Sequence, residues 1–256
     1  MEALLLAGGK AERLGDAAAG RPKPLVLIDG RPLAAYQVAQ LADAGVTRII
    51  VCCSQGTETL FEKELGGFGP EIVAVGEPEP LGRGGGLRFG ASHRQESGPV
   101  LALNGDELLG VDLRDLMDRH KQRGPAATIV VSQVRSAFGV VDVREDDTIA
   151  GFLEAPLLQD WVNSGVYVLD DECIGRLPER GDHELSTFPE LATEGKLHAY
   201  RNTGFWLTVN TPKQLREASD YMASHPELAP RAGSSLGAVG STERAEVAAS
   251  PPLERA

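Results

Sequence analysis

The sequence predicts an α/β protein with a mixed, mostly parallel β-sheet and helices on both faces. Short apolar runs alternate with amphipathic segments of helical period, and glycine-containing turns separate the two kinds of segment. The 256 residues suffice for a sizeable core, and 42% of them are hydrophobic, as in ordinary globular proteins. In such sheets, ligands bind beyond the carboxyl ends of the strands, so the segments after each strand are the candidates for function.

The first half of the chain supplies the alternating pattern. We expect buried strands over 3–7, 47–53, 71–76, 99–107 and 126–134. Between them we expect amphipathic or glycine-led helices over 32–45, 58–67, 84–94 and 112–124. Together they predict a nucleotide-binding part over 1–134.

The pattern changes beyond residue 135. We expect two strands within 138–156, joined by the turn "REDD", then a strand over 161–171 and a closing helix over 211–225. This part, 135–225, should extend the same sheet and form a lid or sugar-phosphate pocket, which makes 1–225 a single domain. The tail 226–256 is rich in Ala, Ser, Gly, Pro and Glu and has no apolar period, so we expect disorder.

Charge and cysteine content exclude several classes of protein. A formal net charge of −12 and a pI of about 4.9 argue against non-specific binding to nucleic acid or to anionic membranes. Three cysteines fit a reducing compartment, and we expect Cys52 and Cys53 to fill the core. No basic leader precedes the first strand and no apolar run has the length of a membrane span, which predicts a cytoplasmic protein. We expect all five histidines to be surface or hydrogen-bonded polar residues.

A glycine loop follows the first strand, within "LLLAGGKAERLGDAAAGRPKPL". Gly8 and Gly9 let the backbone approach a ligand closely and expose its N–H groups. Lys10, Arg13 and Lys23 can add positive charge where phosphate oxygens would lie. The spacing matches neither the dinucleotide-binding fingerprint nor the common phosphate loop. Taken alone, the two glycines also fit an ordinary strand-to-helix turn followed by a solvated basic loop.

The whole string resembles the signature of the sugar-1-phosphate nucleotidylyltransferases: an apolar strand, Ala-Gly-Gly, an Arg-Leu pair and Pro-Lys-Pro. The resemblance continues, in order, through "EPEPLGRGGGLRFGA", "LALNGDEL", "FGVVDV" with "IAGFLEAP", "VNSGVYVL" and "GFWLTVNTPKQL". It implies the Rossmann-like fold of nucleotide-diphospho-sugar transferases. It also implies condensation of an NTP with a sugar or cyclitol 1-phosphate to an NDP-sugar and pyrophosphate. "EPLGRGGGLR" looks closest to the mannose- and heptose-phosphate guanylyltransferase branch, which favours GTP.

The resemblance also implies roles for particular residues. Arg13 and Lys23 would be catalytic residues that hold phosphates during attack at the α-phosphorus. Asp106 would be a catalytic residue that binds Mg²⁺. Its position at the carboxyl end of a strand also suits a Mg²⁺ ligand. The implied nucleotide-binding residues are Leu6, Ala7, Gly8, Gly9, Lys10, Pro80, Gly82, Asn104 and Gly105. The implied sugar-phosphate-binding residues are Gly139, Glu154 and Asn163. Structural alternatives are a turn aspartate at 106, a surface glutamate at 154, a turn-forming asparagine at 163 and a hairpin glycine at 139.

Three positions depart from the resemblance. Where the family has a second magnesium-binding aspartate, this sequence has Thr208, and where the family has a lysine that contacts the sugar phosphate, it has Ala155. A small polar residue of the family is replaced by Arg83. This arginine would either replace the lost positive charge or obstruct the base. A catalytically impaired nucleotide-binding or regulatory homologue is therefore an alternative. A cytidylyltransferase or molybdenum-cofactor nucleotidyltransferase is another, although the second half argues against it. The expected partners are an NTP and a sugar 1-phosphate, and we expect binding to neither nucleic acid nor a membrane. The expected oligomer, if the chain assembles, is a homodimer.

Overall fold

A computed structural model describes residues 1–9 and 11–230 of the chain. Within these residues the strands run over Glu2–Leu6 (β1), Leu27–Ile28 (β2), Arg31–Pro32 (β3), Arg48–Ser54 (β4), Glu71–Glu77 (β5), Val100–Asn104 (β6), Glu107–Leu109 (β7), Ala127–Arg135 (β8), Val140–Val143 (β9), Ile149–Leu153 (β10), Leu157–Leu169 (β11), Leu197–Arg201 (β12) and Trp206–Thr208 (β13). The α-helices run over Leu33–Asp43 (α1), Glu58–Leu65 (α2), Gly82–Ala91 (α3), Leu113–Arg123 (α4), Asp171–Arg176 (α5), Thr187–Thr193 (α6) and Pro212–Ser224 (α7).

Seven strands form the main sheet, in the order β12-β8-β11-β6-β1-β4-β5. Strands β6, β1, β4 and β5 are parallel, β11 runs antiparallel between β6 and β8, and β12 is parallel to β8. The predicted mixed, mostly parallel α/β class is confirmed. Leu6 pairs with Asn104, so the loops that follow β1 and β6 leave the same edge of the sheet side by side.

Helices cover both faces of this sheet, and its apolar core is divided accordingly. Leu4 and Leu5 are both fully buried but belong to different core clusters, because successive strand residues point to opposite faces. One face packs against α1, α2 and α4, and the other against α3, α5 and α6. Cys52 and Cys53 divide between the same two clusters, as expected of core residues. Among the described helices, none has the length and apolarity that crossing a membrane requires.

The second half extends the sheet through β11 and β12, whereas β9 and β10 form a separate two-stranded ribbon that is exposed along both strands. The strand expected over 99–107 is divided by a turn into β6 and β7, and β7 pairs with β13 instead. Residues 172–210 carried no expected elements but contain α5, α6, β12 and β13. Helices of six and seven residues are too short to show a helical period. At the expected tail, Pro226–Leu228 form a 3₁₀ turn, and 231–256 lie outside the described residues.

Candidate active site

A close approach at Gly105 builds the centre of the site. The Gly105 N–H donates to the Leu6 carbonyl oxygen at 2.8 Å. A Cβ at this position would lie 2.5 Å from that oxygen and 2.9 Å from Pro24 Cγ, so a larger residue would push the chain apart. The glycine therefore lets the Pro-Lys-Pro segment lie directly against the end of β6, next to Asp106.

Lys23 joins two oxygen atoms from distant parts of the chain. Its Nζ donates to Asp106 Oδ2 at 2.5 Å and to Asn210 Oδ1 at 2.6 Å. The Lys23 side chain is only 12% exposed, and Pro22 and Pro24 fix the backbone on either side of it. The ammonium group is thus held at a defined point between a carboxylate and an amide oxygen.

A cavity of about 420 Å³ opens over this cluster. Its described lining consists of Ala11, Glu12, Arg13, Leu14, Lys23, Arg83, Asp106 and Asn210. The structure therefore brings the three predicted catalytic residues together. It adds Asn210, which sequence reasoning missed although it stands two positions after Thr208 in the same motif. Thr208 itself accepts a hydrogen bond from Gln214 Nε2 at 2.9 Å and does not line the cavity among the described residues.

The predicted nucleotide-binding residues lie at the same edge of the sheet. Leu6 ends the first strand, Ala7 follows it, and Gly8 and Gly9 are exposed immediately beyond; Lys10 lies outside the described residues. Asn104 ends β6, and its buried Oδ1 has no hydrogen-bond partner in the described part of the chain. Pro80 and Gly82 are exposed where α3 begins.

Glu77, which sequence reasoning also missed, lies beside the glycine loop. Its Oε1 would be 3.6 Å from a Cβ at Gly8 and 2.7 Å from a Cβ at Gly86, so it occupies the gap between the loop and α3. Its Oε2 accepts a hydrogen bond from the Leu81 N–H at 3.2 Å. Burial raises the pKa of this carboxyl above its usual range, against the opposing effect of the Leu81 hydrogen bond. The sequence feature that could have identified Glu77 is an acidic residue at the end of a predicted sheet strand.

A second carboxyl lies behind Asp106. Burial, with the Asp106 charge adding to it, raises the pKa of Glu107 to about 8. Trp206 Nε1 donates to Glu107 Oε2 at 2.8 Å, across the β7–β13 pair. This contact fixes the closing strand behind the metal-binding candidate.

The three predicted sugar-phosphate residues do not belong to the described lining of this cavity. Gly139 and Glu154 lie together at the open end of the β9–β10 ribbon, where a Cβ on Gly139 would be 3.1 Å from Glu154 Oε2. Asn163 uses both ends of its amide within β11: Nδ2 donates to Tyr167 Oη and Oδ1 accepts from the Gly165 N–H, each at 2.9 Å. That arrangement matches the turn-forming alternative for this residue.

One histidine, His183, contradicts the expectation of a surface or hydrogen-bonded residue, and a second, His120, meets it through one ring nitrogen. His183 is fully buried, and neither ring nitrogen has a hydrogen-bond partner among the described residues. It lies edge-on to Tyr167 and Phe188 in an aromatic cluster. His120 is 2% exposed, and its Nδ1 pairs with Thr128 Oγ1 while Nε2 has no partner in the described chain. Burial lowers the pKa of both rings.

Comparison with known proteins places this chain in a family. The model of the nucleotidyl transferase family matches residues 2–225. The mannose-1-phosphate guanylyltransferase catalytic subunit beta of Drosophila pseudoobscura pseudoobscura is 33% identical over 223 residues, covering 83% of this chain and 60% of that protein. The mannose-1-phosphate guanyltransferase of Saccharomyces cerevisiae is 33% identical over 229 residues, covering 84% and 63%.

A solved structure shares the fold. The putative glucose-1-phosphate thymidylyltransferase from Bacillus anthracis, in complex with a sucrose, superposes with a TM-score of 0.70 at 18% identity, covering 86% of this chain and 95% of that one. The chain spans less than two thirds of the length of either guanylyltransferase relative. The family match extends over nearly all of the described residues, from the glycine loop to the closing helix. The chain belongs to the nucleotidyl transferase family.

Proposed function

We propose that the protein transfers a nucleotidyl group from an NTP, preferably GTP, to a sugar 1-phosphate, with mannose 1-phosphate as the first acceptor to test. The observation that carries the proposal is the cavity that Arg13, Lys23 and Asp106 line together, on the segments that follow β1 and β6. The two guanylyltransferase relatives support the choice of base and acceptor.

The reaction needs positioning and charge neutralisation more than acid–base chemistry. An anionic phosphate oxygen of the sugar 1-phosphate attacks the α-phosphorus of the NTP and forms a new P–O bond. The α–β bridging P–O bond breaks, and pyrophosphate leaves with the electron pair. Exposed N–H groups at Gly8 and Gly9 would contact the triphosphate, while Arg13 and Lys23 would stabilise the charge that grows on the leaving group. Lys23 can do this when its ammonium turns from Asp106 toward a phosphate oxygen.

The donor chemistry at Lys23 also fits a divalent cation. A carboxylate oxygen of Asp106 and an amide oxygen of Asn210 converge on one positively charged group, and both are the hard ligands that Mg²⁺ prefers. The described residues contain no cluster of three or more metal-binding side chains, so phosphates and water would complete the coordination. Mg²⁺ held by Asp106 and Asn210 would supply neutralisation of the triphosphate charge.

Glu77 supports the preference for guanine. Guanine presents two neighbouring donors, its N1–H and its amino group, and the Glu77 oxygen that is not bound to the Leu81 N–H can accept from this donor edge. Glu77 Oε1 lies between Gly8 and Gly86, beside the loop that would contact the nucleotide. Uracil and thymine present one such donor and adenine presents its donor next to an acceptor, so a carboxylate favours guanine over the other bases.

The acceptor would lie toward the β9–β10 ribbon. Glu154 offers two oxygens to sugar hydroxyls, and the absence of a side chain at Gly139 lets the Phe152 ring lie beside it, where a Cβ would be 2.5 Å from Phe152 Cζ. Asn163 is the weakest member of this set, since its amide is already used within β11. The homodimer also remains a proposal, and sedimentation of the purified protein tests it.

Pyrophosphate release tests the proposed function. Each of the four common NTPs is combined with mannose 1-phosphate, glucose 1-phosphate and a cyclitol phosphate in the presence of Mg²⁺, with Asp106→Ala as the inactive control. We expect turnover with GTP and mannose 1-phosphate above every other pair. No turnover with any pair, together with clear nucleotide binding, would instead identify a binding or regulatory homologue.

A further inference from the structure

The cavity contains one guanidinium group that the reaction described so far does not use. Arg83 lines it together with Arg13, Lys23, Asp106 and Glu12. The described lining carries one positive charge in excess, with three cationic side chains against two carboxylates, and Arg83 also pairs with Glu184 outside the lining. A reaction that brings two phosphate-bearing substrates together needs that charge.

Arg83 is held in place from both its backbone and its side chain. Its N–H donates to Asp182 Oδ1 at 2.9 Å, and its Nη1 donates to Glu184 Oε1 at 2.8 Å. The Gly181 carbonyl accepts from the next two N–H groups of α3, and the Gly181 N–H donates to the Leu81 carbonyl at 2.7 Å. These hydrogen bonds join the start of α3 to the 181–184 loop and orient the guanidinium.

The close packing of that loop requires glycine. Gly82 has a φ of +77°, and a Cβ there would lie 2.8 Å from the Gly181 carbonyl carbon. A Cβ at Gly84 would lie 2.7 Å from Pro178 Cγ. The glycine-rich start of α3 thus lets the loop approach closely enough for Glu184 to reach Arg83.

Most of the guanidinium remains available to a ligand. Apart from Nη1, its N–H groups make no hydrogen bond to the described part of the chain, and the side chain is 57% exposed. A planar guanidinium with several donors in a fixed fork matches a phosphate group well. Glu184, which is 23% exposed, orients the fork without occupying it.

The β9–β10 ribbon carries no cation of its own at its open end, and the nearest one along the chain is Arg135, which precedes it at the end of β8. Between 136 and 163 the chain contains a single Lys or Arg, Arg144. Arg144 donates to Thr148 Oγ1 in the turn that joins β9 to β10, at the opposite end of the ribbon from Gly139 and Glu154. The phosphate of a sugar seated at that open end must therefore find its positive partner on another element.

We propose that Arg83 binds the phosphate of the sugar 1-phosphate and that Glu184 is the residue that positions it. This inference rests on the proposed function, because it assigns the acceptor phosphate of that reaction to one side chain. Arg83 then fulfils the role for which the ribbon offers no cation.

Steady-state kinetics of Arg83→Ala and Arg83→Lys test the assignment, with Arg180→Ala as the matched control. Arg180 is an exposed arginine in the same loop region, paired with Glu79, and it is not among the described lining residues. We expect R83A to raise the KM for mannose 1-phosphate by about 10- to 100-fold, as for the loss of a charged hydrogen-bonding pair. In R83A the Kd for GTP should change less than about threefold. R83K should have a KM for mannose 1-phosphate between those of the wild type and R83A. R180A should behave like the wild type.

Two further variants distinguish phosphate binding by Arg83 from phosphate binding by another cation. Arg135, at the end of β8 opposite Leu157, is the nearest basic residue before the ribbon in the sequence, so Arg135→Ala is the competing variant. Glu184→Gln should raise the same KM by a smaller factor and add nothing in the R83A background. A larger effect on the Kd for GTP than on the KM for the acceptor, or an effect of R135A in place of R83A, overturns the assignment.

Binding of mannose 1-phosphate, followed by ³¹P NMR on the protein loaded with a non-hydrolysable GTP analogue, keeps this test independent of turnover. If the wild type shows no turnover but binds the sugar phosphate, and R83A does not bind it, the proposed reaction fails while the role of Arg83 stands. Equal binding by the wild type and R83A, or no binding by the wild type, overturns the role of Arg83.

Discussion

Changing Glu77 to glutamine tests how the site distinguishes one base from another. In the wild type, Oε2 accepts from the Leu81 N–H while Oε1 faces the gap between Gly8 and Gly86. In the variant the amide oxygen must take the position facing Leu81, because only the oxygen can accept that hydrogen bond. The amide NH₂ group then faces the base. Because it is a donor, as are the guanine N1–H and amino group, it cannot form a hydrogen bond with them.

The expected loss follows from the contact between Oε1 and the guanine donors, which disappears. Leaving a hydrogen-bonding group without its partner costs about 1–3 kcal/mol. Since 1.4 kcal/mol corresponds to a factor of ten, E77Q should lower kcat/KM for GTP by about 5- to 150-fold. The value for ATP or UTP should fall much less, because each of these bases presents an acceptor to the new amide, so the preference for GTP should narrow.

The assay is kcat/KM for GTP, ATP, UTP and CTP at saturating mannose 1-phosphate, read as pyrophosphate release. Glu79→Gln is the matched control: it makes the same change two residues along, at a side chain that is 59% exposed and paired with Arg180. We expect E79Q to leave the ratio of GTP to ATP unchanged. The assignment is refuted if E77Q preserves the wild-type ratio, or if E79Q changes it as much as E77Q does.

Three other predictions concern catalysis, packing and pH. Lys23→Ala and Asp106→Ala should each reduce kcat by about 10³-fold with an unchanged far-ultraviolet circular dichroism spectrum. Near-native rates in both variants would contradict the assignment of this active site. Gly90→Ala places a methyl group on Cys52 Sγ, so the free energy of unfolding in urea should fall by about 1–3 kcal/mol. Adding Cys52→Ala should recover part of this loss. If the effects of the two substitutions simply add, the methyl group and Cys52 do not overlap. Burial lowers the pKa of His183, so the unfolded chain takes up its proton first and stability falls as pH drops below the ordinary value of about 6.5. His183→Phe should reduce the slope of unfolding free energy against pH by up to about 1.4 kcal/mol per unit, and an unchanged slope would refute this.

The centre of the site could be predicted because it depends on local patterns and on one rule of topology. The apolar run before Gly8 and the run before Asp106 both indicate buried strands, and in a parallel sheet the ends of such strands meet at one edge. Lys23 lies between two prolines in a motif whose composition already suggests a rigid, cationic loop. The family resemblance assigned the lysine, the aspartate and the glycine loop to one site, and these local patterns support that assignment.

The remaining contacts depend on long-range packing, which no local pattern encodes. Asn210 reaches Lys23 across 187 positions of sequence, because β13 pairs with β7 and brings the chain back beneath the cavity. Both strands have only three residues, too few for a period of two to be visible. Arg83 was recognised as unusual, yet its partner Glu184 lies about 100 residues away in a loop for which no element was expected.

Aromatic packing explains why His183 was misjudged. Sequence reasoning treats histidine as a polar residue that seeks water or a hydrogen bond. Here the ring is enclosed by Tyr167 and Phe188, and its edge-on contacts with them take the place of polar partners. That environment is created by β11 and α6 coming together, and α6 was not predicted.

The most direct test of the account is a crystal structure of the protein with a non-hydrolysable GTP analogue and Mg²⁺. We expect the triphosphate beneath the backbone of Gly8 and Gly9, with Lys23 Nζ on a phosphate oxygen and the guanine edge at Glu77. An empty cavity at saturating nucleotide, or a nucleotide bound elsewhere with Lys23 still joined to Asp106, would contradict it.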